Sequence, residues 1–311
     1  MARKASSSAI GTAARPGGPA AGPAEPSPEP APRPHLIGLP LYKLTGSGND
    51  FVMVEARHSA PGEWTPGDIQ AVCARGTGVG ADGLVFVGPG SKSGAVRMVY
   101  FNNDGSRAAM CGNAALCTTR LAARLGLAPA EGMLLETDAG TYASRCAGSD
   151  PAVAELQLAP VAAPQPVTGI TPAPGESRIV LALVGVPHLV VVVEDLDDLD
   201  VPGRGRALRF DPAIGPDGAN INFIAPGARP SEWRMRTYER GIEAETLACG
   251  TGAVAAACAL ADAGMAELPV TLVSRTGRPI VVHARPTVRG VFEDVTLTAE
   301  ARLVFRGTLH G

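Results

Sequence analysis

Apolar residues in this chain fall in short, partly alternating runs bounded by Gly, Asp and Pro, the pattern of half-buried strands. A first set runs Leu41 to Leu44, Phe51 to Glu55, Leu84 to Val87, Val96 to Phe101 and Leu134 to Thr137. A second set runs Val153 to Leu158, Ile179 to Val184, Leu189 to Val193, Trp233 to Tyr238, Val270 to Val273, Ile280 to His283 and Val291 to Leu297. Few helical patterns separate them, and the short spacing favours antiparallel pairing in an α+β class over a doubly wound parallel sheet.

Two helices do stand out, because they are built to one plan. Met110-Cys111-Gly112-Asn113 and Ala248-Cys249-Gly250-Thr251 each open a run of helix formers that stops at a glycine 15 positions after the cysteine, Gly126 and Gly264. This predicts helices over about 112–125 and 250–263, with a cysteine at each N-cap. Ala253 to Ala263 is small and apolar almost all round, so the second helix belongs inside a sheet. The cysteines lie 138 positions apart, a spacing that suits a duplicated domain. The expected division is a disordered tail at 1–38, a first domain at 39–154 completed by 301–311, and a second at 155–300. The fold predicted is two pseudo-symmetric domains of mainly antiparallel strands, each wrapped around a central helix, with the site in the cleft between them.

Composition narrows the function. A net charge of -3 from 27 basic and 30 acidic residues gives no field for nucleic acid or a membrane surface, and no apolar run approaches a transmembrane span. Six cysteines without dense spacing read as free thiols in a reducing compartment, and Cys73, Cys117, Cys146 and Cys258 read as small buried hydrophobes. No Cys/His spacing calls for a metal. Residues 1 to 36 hold eight of the 28 prolines and cannot bury enough surface to order. The opening from Met1 to Ser8 is basic, Ser-rich and free of acid, as in a transit peptide; an extension without function or a different start codon fits it equally. Gly76 to Gly83 resembles a phosphate loop, but a helical pattern precedes it and a strand follows, so it reads as a tight turn.

A thiol at a helix N-cap faces unpaired N–H groups and the positive end of the dipole. Its pKa is expected to fall from about 8.5 toward roughly 3.5 to 7.5. The same N–H groups can hold a carboxylate. Two such thiols on opposite walls suit inversion of a carbon centre, one as base and one as acid. Pyridoxal phosphate chemistry needs a lysine, and Lys4, Lys43 and Lys92 are the whole supply, so no cofactor is expected.

The chain also resembles a known family, the diaminopimelate epimerases. The resemblance rests, in order, on Gly48-Asn49-Asp50-Phe51, Gly80-Ala81-Asp82-Gly83, the run from Phe101 to Ser106, Met110-Cys111-Gly112-Asn113, Pro187-His188, Asn220-Ile221-Asn222-Phe223, Tyr238-Glu239-Arg240-Gly241 and the run from Glu245 to Gly252. It implies interconversion of LL- and meso-diaminopimelate with Cys111 and Cys249 as the acid/base pair. His188 and Glu239 would tune them. Gly112, Asn113, Gly250 and Thr251 would hold the reacting carboxylate, and Asn49, Asn102, Asn220, Glu239 and Arg240 the rest of the substrate. Read alone, Asn49 and Asn102 equally close turns, Arg240 is a solvated charge and His188 a core residue. Val186 stands where the family has Asn before Pro-His, Ala114 and Leu116 stand for Gly and Arg, and one residue more than in many members separates Glu239 from Cys249. A proline racemase-like substrate or a regulatory thiol pair are the competing readings. The expected setting is a cytoplasmic homodimer with a small-molecule substrate.

Overall fold

The computed structural model describes residues 36–148, 150 and 152–310. The expected tail lies outside these except at its last three positions, where Leu36 is buried in the core around Trp64 and Ile69 and Gly38 N–H donates to the Leu309 carbonyl.

The first half runs β1 (Pro40–Gly46), β2 (Asn49–Glu55), α1 (Pro66–Cys73), β3 (Gly83–Pro89), β4 (Ala95–Asn102), β5 (Arg107–Ala108), α2 (Gly112–Arg124), β6 (Met133–Thr137), β7 (Gly140–Cys146) and β8 (Val153–Gln157). After the short β9 (Val161–Ala162) and β10 (Gln165–Pro166), the second half runs β11 (Glu176–Val184), β12 (Val186–Val193), α3 (Val201–Arg209), β13 (Asn220–Pro226), β14 (Glu232–Glu239), β15 (Ala244–Thr246), α4 (Gly250–Asp262), β16 (Val270–Val273), β17 (Pro279–Pro286) and β18 (Val291–Glu300). β19 (Arg302–Thr308) closes the chain.

Pairing repeats element for element. β1–β2, β3–β4, β4–β5, β6–β7 and β7–β8 are antiparallel, while β2–β3 and β4–β6 are parallel. The second half gives β11–β12, β13–β14, β14–β15, β16–β17 and β17–β18 antiparallel, with β12–β13 and β14–β16 parallel. Mostly antiparallel pairing matches the sequence pattern, and the parallel pairs have a plain cause. A parallel pair cannot be closed by a hairpin, and each one here is spanned by a crossover helix. The halves join where β18 pairs antiparallel with β8, Leu297 opposite Leu156. β19 returns to pair with β1 of the first half.

The cores follow from this order. β2 and β3 lie between two apolar layers: Met53, Val85 and Val87 face the core of α2, and Val52, Val54, Leu84 and Phe86 face the core of α1. β12 and β13 repeat the arrangement, with Val190 and Ile224 toward α4 and Val191, Ile221 and Phe223 toward α3. Strands buried on both faces are commonly apolar throughout, as Leu84 to Val87 of β3 are, but β13 also buries two asparagines, Asn220 and Asn222. α2 and α4 share one continuous core that passes through Phe292, Val295 and Leu297 of β18. Each fully buried Leu, Phe or Met contributes about 1.5–3 kcal/mol, so the two central helices are held chiefly by burial.

Both helices end as predicted. Gly126 and Gly264 take the left-handed conformation at φ 68° and 66°, which ends the helix at no cost to a residue without a Cβ. The Gly76 to Gly83 segment is the tight connection from α1 to β3. A Cβ on Gly78 would stand 2.1 Å from the Ala71 carbonyl oxygen, so the turn is packed against the end of α1 at that residue. One helix was not legible. α3 contains Pro202, Gly203 and Gly205, poor helix formers, and is held by the Asp200 side chain accepting from Gly203 N–H at 3.0 Å.

Candidate active site

Cys111 and Cys249 are the N-cap residues of α2 and α4. Both helix starts converge on Leu297. A Cβ on Gly112 would stand 3.8 Å from Leu297 Cδ2, and one on Gly250 3.0 Å from the same atom and 3.7 Å from Asn113 Oδ1. The Glu239 carboxylate, at the end of β14, lies close enough to raise the pKa of both thiols. The Thr246 hydroxyl and the Cys249 thiol act on it in turn, each pulling its pKa down. Two cysteines 138 positions apart therefore share one electrostatic environment.

The expected fall in thiol pKa does not occur. Burial pushes Cys111 up to about 11 and Cys249 further, with the Glu239 charge adding to both. The helix starts do act in the expected direction: N–H groups of Ala114 and Asn113 on Cys111, and of Gly252 on Cys249, pull the values down. Removing a thiolate from water costs more than these few donors return. Cys111 keeps part of its surface open and rises less; Cys249 is buried. Glu239 is itself raised, again by burial first. Burial thus holds both sulfurs as thiols.

The remaining residues fall into two groups. On the first half, Asn49 Nδ2 donates to Asp82 Oδ2 at 2.9 Å and Asn113 Nδ2 donates to Asn49 Oδ1 at 2.7 Å. Asn113 Oδ1 is buried with no partner among the described residues. Asn102 ends β4 opposite Gly83, where its backbone and side chain both bond Ser106, so it closes the β4–β5 turn.

On the second half, Asn220 Oδ1 accepts from the Arg240 backbone N–H at 2.8 Å, which fixes the residue after Glu239. His188 pairs with Asn220 across β12 and β13 and is wholly buried. Thr237 Oγ1 donates to Asn222 Oδ1 at 3.0 Å, and Asn222 Nδ2 lies 3.2 Å from His188 Nδ1. That order assigns the imidazole proton to Nε2, which has no partner among the described residues. Burial, and then the Arg240 charge, lower His188 to about 3, so the ring is neutral. Asn222 abuts the start of α4, since a Cβ on Gly252 would stand 2.2 Å from Asn222 Oδ1 and 3.2 Å from Cys249 Sγ. Thr251 Oγ1 lies 3.7 Å from the same sulfur.

Sequence reasoning did not assign roles to Asp82, Asn222 or Leu297. Asp82 and Asn222 lie inside the quoted motifs, and Leu297 carries no signal beyond its strand. Of the other cysteines, Cys73, Cys117 and Cys258 are buried as expected, whereas Cys146 is half-buried. It borders a groove of about 330 Å³ lined also by Arg120, Arg124 and Leu303, at the far end of α2 from the thiols. Val186 opens β12 half-buried, while Ala114 and Leu116 are fully buried in the α2 core.

Comparison with known proteins gives the family. The diaminopimelate epimerase family matches residues 41–157 and 180–286. The diaminopimelate epimerase of Gemmatimonas aurantiaca is 44% identical over 278 residues, covering 86% of this chain and 98% of that protein. That of Aquifex aeolicus is 37% identical over 281 residues, covering 87% and 98%. Among solved structures, a phenazine biosynthesis protein of the PhzF family from Bacillus anthracis has a TM-score of 0.65 at 16% identity, covering 87% of this chain and 98% of its own. A probable proline racemase from Agrobacterium radiobacter has a TM-score of 0.58 at 16% identity, covering 88% and 91%. Identities this low show a shared fold alone. The match across both halves, with 44% identity over nearly the whole of a relative, places this chain in the diaminopimelate epimerase family.

Proposed function

We propose that this protein is an isomerase that interconverts LL- and meso-diaminopimelate by moving a proton at the α-carbon between Cys111 and Cys249. The observation that carries the reading is the convergence of two N-cap thiols on one carboxylate, Glu239, in a chain whose relatives bear the name diaminopimelate epimerase.

The Glu239 carboxylate accepts the proton of Cys249 S–H, and the Cys249 thiolate takes the hydrogen from Cα. Cys111 S–H delivers its proton to the opposite face and is left as thiolate. The return direction exchanges the two roles. Backbone N–H groups at Gly112, Asn113, Gly250 and Thr251 hold the reacting carboxylate and stabilise the charge that develops on it. Every tenfold in rate requires about 1.4 kcal/mol, so donors fixed before reaction are favoured over donors that must reorganise. Arg240 would take the distal carboxylate as a fork, with Asn102 and Asn220 beside it and His188 holding a neutral donor behind. The site needs no added cofactor: the Lys43 amine is ion-paired with Asp50 at 2.6 Å, and Lys92 sits in an exposed loop.

The domains proposed are 39–154 with 301–311, and 155–300. The boundary falls in β8, which pairs with β7 of one half and β18 of the other. A cytoplasmic setting in lysine biosynthesis suits six cysteines that are all free, and no helix among the described residues is long and apolar enough to cross a membrane. A homodimer suits β19, which leaves Val304 and Phe305 exposed at 48% and 46% beside a single paired neighbour, β1.

Turnover of LL-diaminopimelate by reduced protein, followed by chiral separation, tests the reading against proline and other amino acids. Meso product is expected from wild type and none from Cys111→Ala or Cys249→Ala with an unchanged melting temperature. Near-normal turnover in either variant would overturn the assignment.

A further inference from the structure

Asp82 lies in the first half, and its carboxylate sets the direction of the side-chain hydrogen bonds that run through Asn49 to Asn113, the second residue of α2. Its Oδ2 accepts from Asn49 Nδ2 at 2.9 Å and from the Asp50 backbone N–H at 3.2 Å, and its Oδ1 accepts from Arg75 at 2.7 Å. An ionised carboxylate only accepts, so Asn49 must turn its amide nitrogen toward Asp82 and its oxygen toward Asn113. Asn113 must then spend its nitrogen on Asn49, at 2.7 Å. What remains is Asn113 Oδ1, an acceptor buried without a partner among the described residues and close to where Gly250 opens α4. Asn113 is 4% exposed, so this oxygen has no bulk water to satisfy it.

Such an atom cannot hold a carboxylate, because two acceptors repel. It suits a donor, and an α-amino acid brings one in its ammonium group. We propose that Asp82 is a positioning residue that, through Asn49, presents Asn113 Oδ1 to the α-ammonium of the substrate. The α-carboxylate is left to the backbone N–H groups at the two helix starts. This rests on the amino-acid epimerase reading above. It also divides the work at Asn113, whose N–H and side chain serve opposite ends of the same carbon.

Moving the charge tests the direction of the chain. In Asp82→Asn, the new amide can donate to Asn49 Oδ1, Asn49 turns over, and Asn113 shows an N–H₂ to an ammonium. In Asn113→Asp, two oxygens face each other across Asn49. Each single change is expected to lower kcat/KM by about 10-fold or more, chiefly through KM, the scale of one unsatisfied or opposed buried polar group. The double variant carries the carboxylate at the other end, restores a donor–acceptor match at each step and leaves an acceptor in the site. Its kcat/KM is expected to return to within about threefold of wild type. A purely structural Asp82, valued for its Arg75 pair, predicts no recovery. Additive losses in the double variant, or a near-normal Asp82→Asn, would overturn the proposal while wild-type turnover leaves the epimerase reading intact. Neutron diffraction of the reduced protein supplies a readout independent of any substrate: deuterons on Asn113 Nδ2 should point to Asn49, and finding them turned toward α4 overturns it equally.

Discussion

At the scale of single residues, burial decides the state of the site. Cys111 and Cys249 occupy positions where helix geometry favours thiolate, yet desolvation and the nearby Glu239 carboxylate outweigh it in both. This bears on the idea of a redox pair, since neither resting sulfur has the thiolate character that speeds oxidation. Neutralising the carboxylate should therefore release the thiols. In Glu239→Gln, the midpoint of the pH dependence of Cys111 alkylation is expected to lie below that of the wild type. The sign follows from the charge: removing a negative neighbour makes a second negative charge cheaper, so more thiolate exists at a given pH. Iodoacetamide labelling followed by peptide mass analysis reads it, and an unchanged or higher midpoint would contradict the account. From sequence, the cysteines were legible through their place before a helix, but the direction of their pKa was not. Burial is a property of the packed chain, set by residues such as Leu297 that no local pattern connects to Cys111.

At the scale of elements, helix starts carry the chemistry, and the strands beneath hold them in place. α4 was legible as a buried helix because Ala253 to Ala263 has no polar face, and α2 because its run stops at Gly126. β13 was missed because Asn220 and Asn222 interrupt its apolar run, and α3 because Gly203 and Gly205 argue against a helix that tertiary contacts nonetheless support. The hydrogen-bond chains behind each helix start were invisible for a different reason. Asp82 and Asn49 sit in glycine-rich stretches that look like turns, and only the β2–β3 pairing brings them together. The contact between α4 and Asn222 gives a sharp expectation. Gly252→Ala places a Cβ 2.2 Å from Asn222 Oδ1, which must then break its bond from Thr237 or displace the helix start. A loss of about 1–3 kcal/mol is expected, with a lower melting temperature and a larger drop in activity than in stability. Wild-type stability in that variant would mean the helix start is looser than its packing indicates.

At the scale of the molecule, the reaction and the fold share an approximate symmetry. A strand–helix–strand plan occurs twice, the halves are joined by one antiparallel ladder between β18 and β8, and α2 and α4 meet with their N-termini near the same side chain. That duplication was legible from the 138-residue interval between the cysteines and the strand sets on either side. The return of 301–311 to the first half was expected without its partner strand, β1, and the parallel pairs were not legible, because α2 and α4 could be read but not which strands on either side of them pair. The central claim is that two thiols address opposite faces of one carbon, and the distribution of isotope at early conversion tests it most directly. Reduced protein is placed in deuterium oxide with LL-diaminopimelate, and both isomers are recovered after a few per cent of turnover. A thiol that removes a protium returns that same protium if the step reverses, while the product receives a deuteron from the other sulfur. The meso product should carry one deuteron at the inverted carbon and the remaining LL isomer essentially none, with the same pattern when the reaction starts from the meso side. Equal labelling of both isomers from the start would mean a single base serves both faces, and the account would fail.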